Sequence, residues 1–380
     1  MKTTGDQQLV KRINRSVLLR LVRERPGLSR AQLASHSGLT KSTVSLLVRE
    51  LVEQGWLGEA PATTTAGIGR PSTPLRIHPH ARGIIGIETA VDCVRVVAVS
   101  LLGEVWWSGE EPLASTAPAA ACAQAARLAR LAYDGMAARG LRLSGVGLGL
   151  PGAFDEATGV VRFAPNLGWR NVDFLPLLTR ALAAAGLPEV PVHTQNEADA
   201  AALSEYEFAS GDGEDALVFV NCDVGVGAGI VLNDRLFTGA QGMAGEIGHT
   251  IVQVDGPLCS CGRRGCAEAF IGARAIAGEA AAMGHTRQAG QFLGVLLQNL
   301  WTTFNPRVLV LGGSSCVGHP ALVQVAQDTL NAYAASAGMA APALRVARYG
   351  MLAPAVGAAA LVLHQYLRPM HPRQTARQLP

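Results

Sequence analysis

The feature that most limits how this chain can fold is a change of hydrophobic period near residue 82. Before it, apolar residues recur at helical steps: Ile13, Val17 and Leu21 stand at i, i+4 and i+8, with Leu18 and Val22 widening the stripe. Beyond it come short β-branched runs at 83–87 and 94–99, followed by Ala-rich stretches. At 380 residues the chain also exceeds what one core usually serves. The pattern predicts a helical head over residues 1–82 and a mixed α/β body over residues 83–380.

Within the head, Pro26-Gly27 stops the first helix. Ser29-Arg30-Ala31-Gln32 is a capping-box pattern that opens a second, and Ser37-Gly38 makes a turn. Thr40 caps a third helix, in which Val44, Leu47, Val48 and Leu51 fall at i, i+3, i+4 and i+7. Helix, short helix, turn, helix is the helix-turn-helix layout. The polar residues at the start of the third helix, Lys41, Ser42, Thr43 and Ser45, are those that would face a major groove. Lys41 brings a charge for a phosphate, and the hydroxyls allow close approach. The polar loop after Trp56-Leu57 fits a wing, whose Gly69-Arg70-Pro71 tip would aim Arg70 at a minor groove. Charge agrees: residues 1–82 hold 13 Lys+Arg against 5 Asp+Glu, net +8, and the remainder 19 against 24, net −5. A basic head on an acidic body points to DNA as the partner of the head.

Composition excludes other classes. With 49% apolar and 16% charged residues the chain is not a disordered one. No run approaches 18 uninterrupted apolar residues, so no membrane span is expected. The polar start is unlike a secretory leader. A cytoplasmic location follows, in which thiols stay reduced and serve better as metal ligands than as bridges.

In the body, residues 115–140, 173–186 and 197–208 read as helices. Residues 146–150, 217–220, 229–232 and 308–311 read as strands, with helix from there to the C-terminus. Two strand–Gly-loop segments recur about a third of the chain apart, as a two-lobed body would show.

Four constellations carry chemistry. His249, Cys259, Cys261 and Cys266 form a Cys₃His set suited to a closed tetrahedral zinc site with a structural role. Glu246 and Glu268 flank that set, and two carboxylates beside an imidazole suit a polyhydroxyl ligand such as a sugar. If the metal takes one nitrogen of His249, the other must donate. Asn196 and Glu197 stand at the start of a helix, where they bind hydroxyls or cap. The Gly-rich loops at 223–229 and 311–314 each follow a strand, where glycine admits a phosphate or simply makes a tight turn.

Six stretches resemble the ROK family of repressors and sugar kinases: GVGLGLPG (145–152), PNLGWRNV (165–172), QNEADAAALSE (195–205), DVGVGAGIV (223–231), GAQGMAGEIGH (239–249) and CSCGRRGCAE (259–268). With the winged head, the whole chain resembles the family's repressors, and its Asn-Glu-Ala segment resembles that of xylose regulators. The resemblance implies an actin/hexokinase-like body of two lobes. Lobe one would span about 83–195 plus a C-terminal helix at 355–370, and lobe two about 196–354. It further implies a homodimer or homotetramer, structural zinc at the matching His and Cys, and sugar contacts at Asn196, Glu246, His249 and Glu268. Asn166 and the 149–152 turn would border the pocket.

The departures are informative. Where the family's kinases carry a catalytic Asp, this chain has Glu197, counted here as a sugar contact whose extra methylene displaces the carboxylate. Their first phosphate loop, Asp-x-Gly-Gly-Thr-Lys, aligns with Glu88-Thr89-Ala90-Val91-Asp92-Cys93. Ala90 and Val91 replace both glycines, Asp92 replaces the Thr, and no Lys follows Lys41 anywhere in the chain. The expectation is a sugar-responsive repressor without enzymatic activity, the alternative being an ATP-dependent sugar kinase with an appended head.

Overall fold

The computed structural model describes residues 7–61, 73–155, 158–208, 216–240, 242–277 and 283–368. Its head is built as the caps predict. Helix α1 (Gln7–Glu24) precedes α2 (Arg30–Ser37). The Ser29 hydroxyl accepts the Gln32 amide, and the Gln32 side chain accepts the Ser29 amide at 2.9 Å. Gly38, at φ 70°, ends α2 in the left-handed conformation that a Cβ disfavours. Thr40 caps α3 (Lys41–Glu53) by accepting the Thr43 amide. Leu18, Val22, Leu33, Val44, Val48 and Leu51 bury the apolar faces of the three helices together. Strands β1 (Leu57–Glu59) and β2 (Leu75–Ile77) pair antiparallel as the base of the wing. Arg70 lies outside the described residues.

The body holds two five-stranded sheets. The first contains β3 (Arg82–Thr89), β4 (Cys93–Ser100), β5 (Val105–Pro112), then β6 (Arg142–Leu150) after helix α4 (Pro118–Ala137). A three-stranded meander follows: β7 (Ala153–Asp155), β8 (Val160–Ala164) and β9 (Trp169–Val172). Helix α5 (Phe174–Ala184) leads to β10 (Val192–Asn196), which completes the first sheet in the order β10-β6-β3-β4-β5. Helix α6 (Glu197–Phe208) crosses to the second sheet. There β11 (Ala216–Cys222), β12 (Val226–Leu232) and β13 (Arg235–Leu236) are followed by α7 (Glu268–Ile271), α8 (Ala273–Ile276) and α9 (Met283–Phe304). Then come β14 (Val308–Gly312), α10 (Ser314–Val317), α11 (Pro320–Ser336), β15 (Ala343–Val346) and α12 (Ala353–Leu367). The second sheet runs β13-β12-β11-β14-β15. In each sheet three antiparallel strands come first and two strands parallel to the first are added by crossovers.

Helices α6 and α12 pack against each other between the sheets. Glycine makes their seating close. A Cβ on Gly147 of β6 would stand 1.7 Å from the Ala358 carbonyl oxygen of α12, and one on Gly229 of β12 would stand 2.2 Å from that of Ala198 in α6. The stretch Gly350–Leu367 is long and apolar enough to cross a membrane, at mean hydropathy 1.3, but 72% of it is buried inside this packing.

Several strands depart from the sequence pattern. Helix does not run unbroken from 311 to the C-terminus: β15 interrupts it. Strands β5, β7 to β9, β13 and β15 are not predicted by the sequence. The short ones leave too few residues for a period, and β5 carries its alternation in VWWSGEEP, which reads as a polar stretch.

Candidate functional site

The sequence-predicted contacts converge where α6 begins. Glu88, next to last in β3, stands opposite Gly149 of β6, and a Cβ on Gly149 would lie 3.6 Å from the Glu197 Cα. Asn196 ends β10 and caps α6: its Oδ1 accepts the Ala198 amide at 2.8 Å, while its Nδ2 donates to the Gly152 carbonyl at 3.0 Å. Gly152 abuts Ala164, two residues before Asn166, which stands half-buried on the turn Pro165–Leu167. The meander thus hangs beside the cap of α6.

From the other sheet, a loop bearing Glu246 docks on β12 through the Ala228 amide, which donates to the Gly245 carbonyl at 2.8 Å. Glu268 is held at both oxygens, accepting the Val226 amide at 3.2 Å and the Ser260 hydroxyl at 2.8 Å. Asp223 accepts the Ser314 hydroxyl at 2.6 Å, tying together the two Gly-rich loops that follow β11 and β14.

Carboxylates crowd together at the start of α6, and the electrostatics follow. Burial pushes Glu197 up to about 8, reinforced by Glu88, Asp223 and Glu246 and relieved only by Arg95. Burial likewise raises Glu88 to about 7 against the pull of Arg95. Arg95 sits on β4 between two partners, Glu88 at 3.2 Å and Glu110 at 2.6 Å. The sequence reading missed Arg95; its one signal is a charge inside the apolar run Cys93–Ser100. The turn after β3 is closed by the Ala90 amide donating to the Cys93 carbonyl at 2.9 Å, leaving Val91 half-buried and Asp92 exposed.

The thiols and imidazole come together as the spacing predicts. Donor atoms of His249, Cys259, Cys261 and Cys266 all lie within 4.8 Å of one another. Cys259 Sγ is 3.6 Å from His249 Nδ1, and Cys261 Sγ is 3.7 Å from Cys266 Sγ. Four donors around one tetrahedral cation, with metal–sulfur bonds near 2.3 Å, would stand about 3.5–3.8 Å apart, so the set fits a metal. Although burial opposes ionisation of Cys261, the backbone and guanidinium of Arg263 draw that thiol down to about 6, toward the thiolate a metal requires. Because Nδ1 faces the sulfurs, Nε2 of His249 is the nitrogen left over for a ligand.

On the head, Lys41, Ser42 and Ser45 are exposed along one side of α3. Thr43 is half-buried, and its hydroxyl lies 2.9 Å from the Thr40 hydroxyl, so it serves the cap. Arg49, four residues beyond Ser45, is exposed at the same helical phase. It adds an exposed cation to the side of α3 that carries Lys41, Ser42 and Ser45.

Fold and site together define a class: a winged helix-turn-helix carried on a two-lobed actin/hexokinase-like body. Residues 131–292 match the model of the ROK family, and residues 16–61 that of the IclR helix-turn-helix domain. The chain is 31% identical over 287 residues to the xylose repressor of Caldicellulosiruptor bescii, covering 72% of this chain and 67% of that protein. It is 27% identical over 384 residues to the xylose repressor of Bacillus subtilis, covering 96% and 98%. A glucokinase of Thermotoga maritima is 41% identical over 132 residues, covering 34% and 40%. The crystal structure of a ROK family transcriptional regulator, a homologue of the E. coli MLC protein, superposes with a TM-score of 0.75 at 22% identity, covering 94% and 98%. The chain belongs to the ROK family, as the motifs implied.

Proposed function

We propose that this protein is a sugar-responsive DNA-binding transcriptional repressor of carbohydrate-metabolism genes. The observation that carries the reading is a conjunction. A helix-turn-helix with Lys41, Ser42 and Ser45 exposed on α3 is docked on a body whose cleft gathers Asn196, Glu197, Glu246, His249 and Glu268. The similarity to xylose repressors along nearly the whole chain favours xylose as the effector.

In this reading residues 1–82 bind operator DNA and residues 83–380 sense the sugar. Lobe one is 83–195 with the C-terminal helix, and lobe two 196–354. Asn166, Asn196, Glu197, Glu246, His249 and Glu268 contact the hydroxyls, and Arg70 enters a minor groove from the wing. The protein acts as a homodimer or homotetramer in the cytoplasm, where a two-fold pair of heads meets a palindromic operator. His249 Nδ1 and the thiolates of Cys259, Cys261 and Cys266 hold zinc, which closes the loop they sit on and leaves no open coordination position. His249 Nε2–H then donates to the sugar. If the operator-competent arrangement binds sugar less well, sugar must release DNA, with a coupling of about 1–3 kcal/mol.

No phosphoryl transfer is assigned to the cleft. Glu88, Ala90, Val91 and Asp92 replace the phosphate loop of the family's kinases, and Glu197 replaces their catalytic Asp. The kinase alternative draws on the glucokinase similarity and on Asp223 with its glycines. One pair of measurements decides. D-xylose should give a saturable heat by calorimetry and shift binding of a duplex selected from random-sequence DNA, with no ADP released from ATP. Sustained ADP release that Glu197→Ala abolishes would establish the kinase instead.

A further inference from the structure

Helix α6 begins at the cleft and ends at the head. Its 12 residues span about 18 Å. Asn196 and Glu197 form the cleft end. At the far end, Glu207 is 1% exposed and gathers two guanidinium groups and an imidazole. Arg23 of α1 donates at 2.5 Å, His364 Nδ1 lies at 2.6 Å, and Arg368 donates at 2.5 Å. A carboxylate in the last turn of a helix opposes the helix dipole, so it needs those partners. One of them comes from the DNA-binding head. Burial alone would raise the Glu207 carboxyl, but His364, Arg23 and Arg368 hold it down at about 2.

The helix between these ends has little room to yield. Residues 198–205 are all buried, and four of them are alanine. A Cβ on Gly357 of α12 would stand 1.8 Å from the Ala200 carbonyl oxygen, just as Gly229 meets that of Ala198 on the sheet side. Backbone rests on backbone, with no layer of long side chains to absorb a displacement. Around the joint the head and α12 share one core, and Trp56 packs on Tyr366 with ring centroids 4.6 Å apart.

We propose that Glu207 is the positioning residue for the DNA-binding head: through its bond to Arg23, α6 carries the state of the cleft to α1. The inference rests on the reading of the cleft as an effector site.

The test uses the full-length protein as wild type, Arg23→Gln and Arg23→Lys. Arg23 is partly exposed, so its replacement spares the fold better than replacement of Glu207 itself. Calorimetry with D-xylose should give dissociation constants within about twofold for all three. Anisotropy titration of a labelled duplex, selected by the wild type from random-sequence DNA, should show at least about a fivefold change in affinity between no sugar and saturating D-xylose. In Arg23→Gln that ratio should collapse to within about twofold, and Arg23→Lys should restore most of it. A merely structural role would weaken DNA binding equally in both states, so an unchanged ratio in Arg23→Gln overturns the proposal. If D-xylose gives no heat with the wild type, the xylose effector reading has failed. The joint is then judged by amide hydrogen exchange without sugar. Arg23→Gln should speed exchange in α1 and in the last turn of α6 together, and a change in α1 alone overturns the proposal.

Discussion

The two sheets of the body share one strand order, yet each carries a different kind of insertion and a different first turn. After β6 the first sheet sends out the meander β7–β9, which carries its own apolar side chains: Phe154, Val161, Leu167 and Trp169 are buried. After β13 the second sheet sends out the stretch 250–266, which leaves Ile251, Val254 and Leu258 exposed, buries Cys259 and Cys266, and keeps Cys261 at the surface. The first turn of one sheet is closed on Ala90 beside a buried Glu88–Arg95 pair. The first turn of the other keeps Gly225 and Gly227 and ties Asp223 to Ser314. One frame can therefore carry an excursion built on apolar burial or one built around a His/Cys cluster that could hold a metal, and can keep glycines in its first turn or set that turn beside a buried ion pair.

The largest expected effect breaks the frame itself. Gly147→Ala sets a Cβ 1.7 Å from a backbone oxygen of α12, where nothing flexible can give way. It should cost more than the roughly 1–3 kcal/mol of ordinary overpacking and be read as loss of the soluble folded protein. Gly229→Ala does the same to α6 with a milder 2.2 Å approach, and should fold with a lowered Tm.

Next come the insertions. Trp169→Ala should cost about 3–5 kcal/mol, because Trp169 packs against Phe174 with tilted rings 5.0 Å apart and donates Nε1–H to the Thr116 carbonyl at 2.6 Å. Cys261→Ser should instead reduce bound zinc and remove amide protection from residues 250–266 while leaving the meander protected. Its Tm loss should be several degrees, at roughly 2–4 °C per kcal/mol. Full zinc stoichiometry in that variant would erase the contrast between the insertions.

The smallest effect concerns the acids of the cleft. Glu197 lies at about 8 in the folded protein against an ordinary 4.5, so the folded state holds its proton longer. That contribution is complete below about 4.5 and is lost as pH rises through about 8. Stability should fall between pH 6 and pH 9, and Glu197→Gln, which cannot ionise, should reduce the fall by on the order of 1 kcal/mol. Denaturant titrations at the two pH values measure it. A wild-type curve that is flat with pH would show that water reaches the carboxyl freely.

How far the sequence carried depended on whether a feature is local. The caps Ser29 and Thr40, the span of α6 and the His/Cys set follow from neighbouring residues, and they were legible. The ROK assignment was legible through motifs rather than through any period. What escaped was made by pairing across the chain. β15 is four residues recognisable as a strand only beside β14. Arg95 acquires its meaning from Glu88 and Glu110 on adjacent strands. Glu207 looked like any acid on a helix until α1 and α12 were placed against it.

The burial of α12 bears on how the protein is made. Tyr366, on which Trp56 of the head packs, and His364, which shares Glu207 with Arg23, lie in α12, far later in the chain than Trp56 and Arg23 themselves. A nascent chain therefore holds a helix-turn-helix with nowhere to dock until α12 has been made. Its three helices must tolerate that wait as a tethered module of their own.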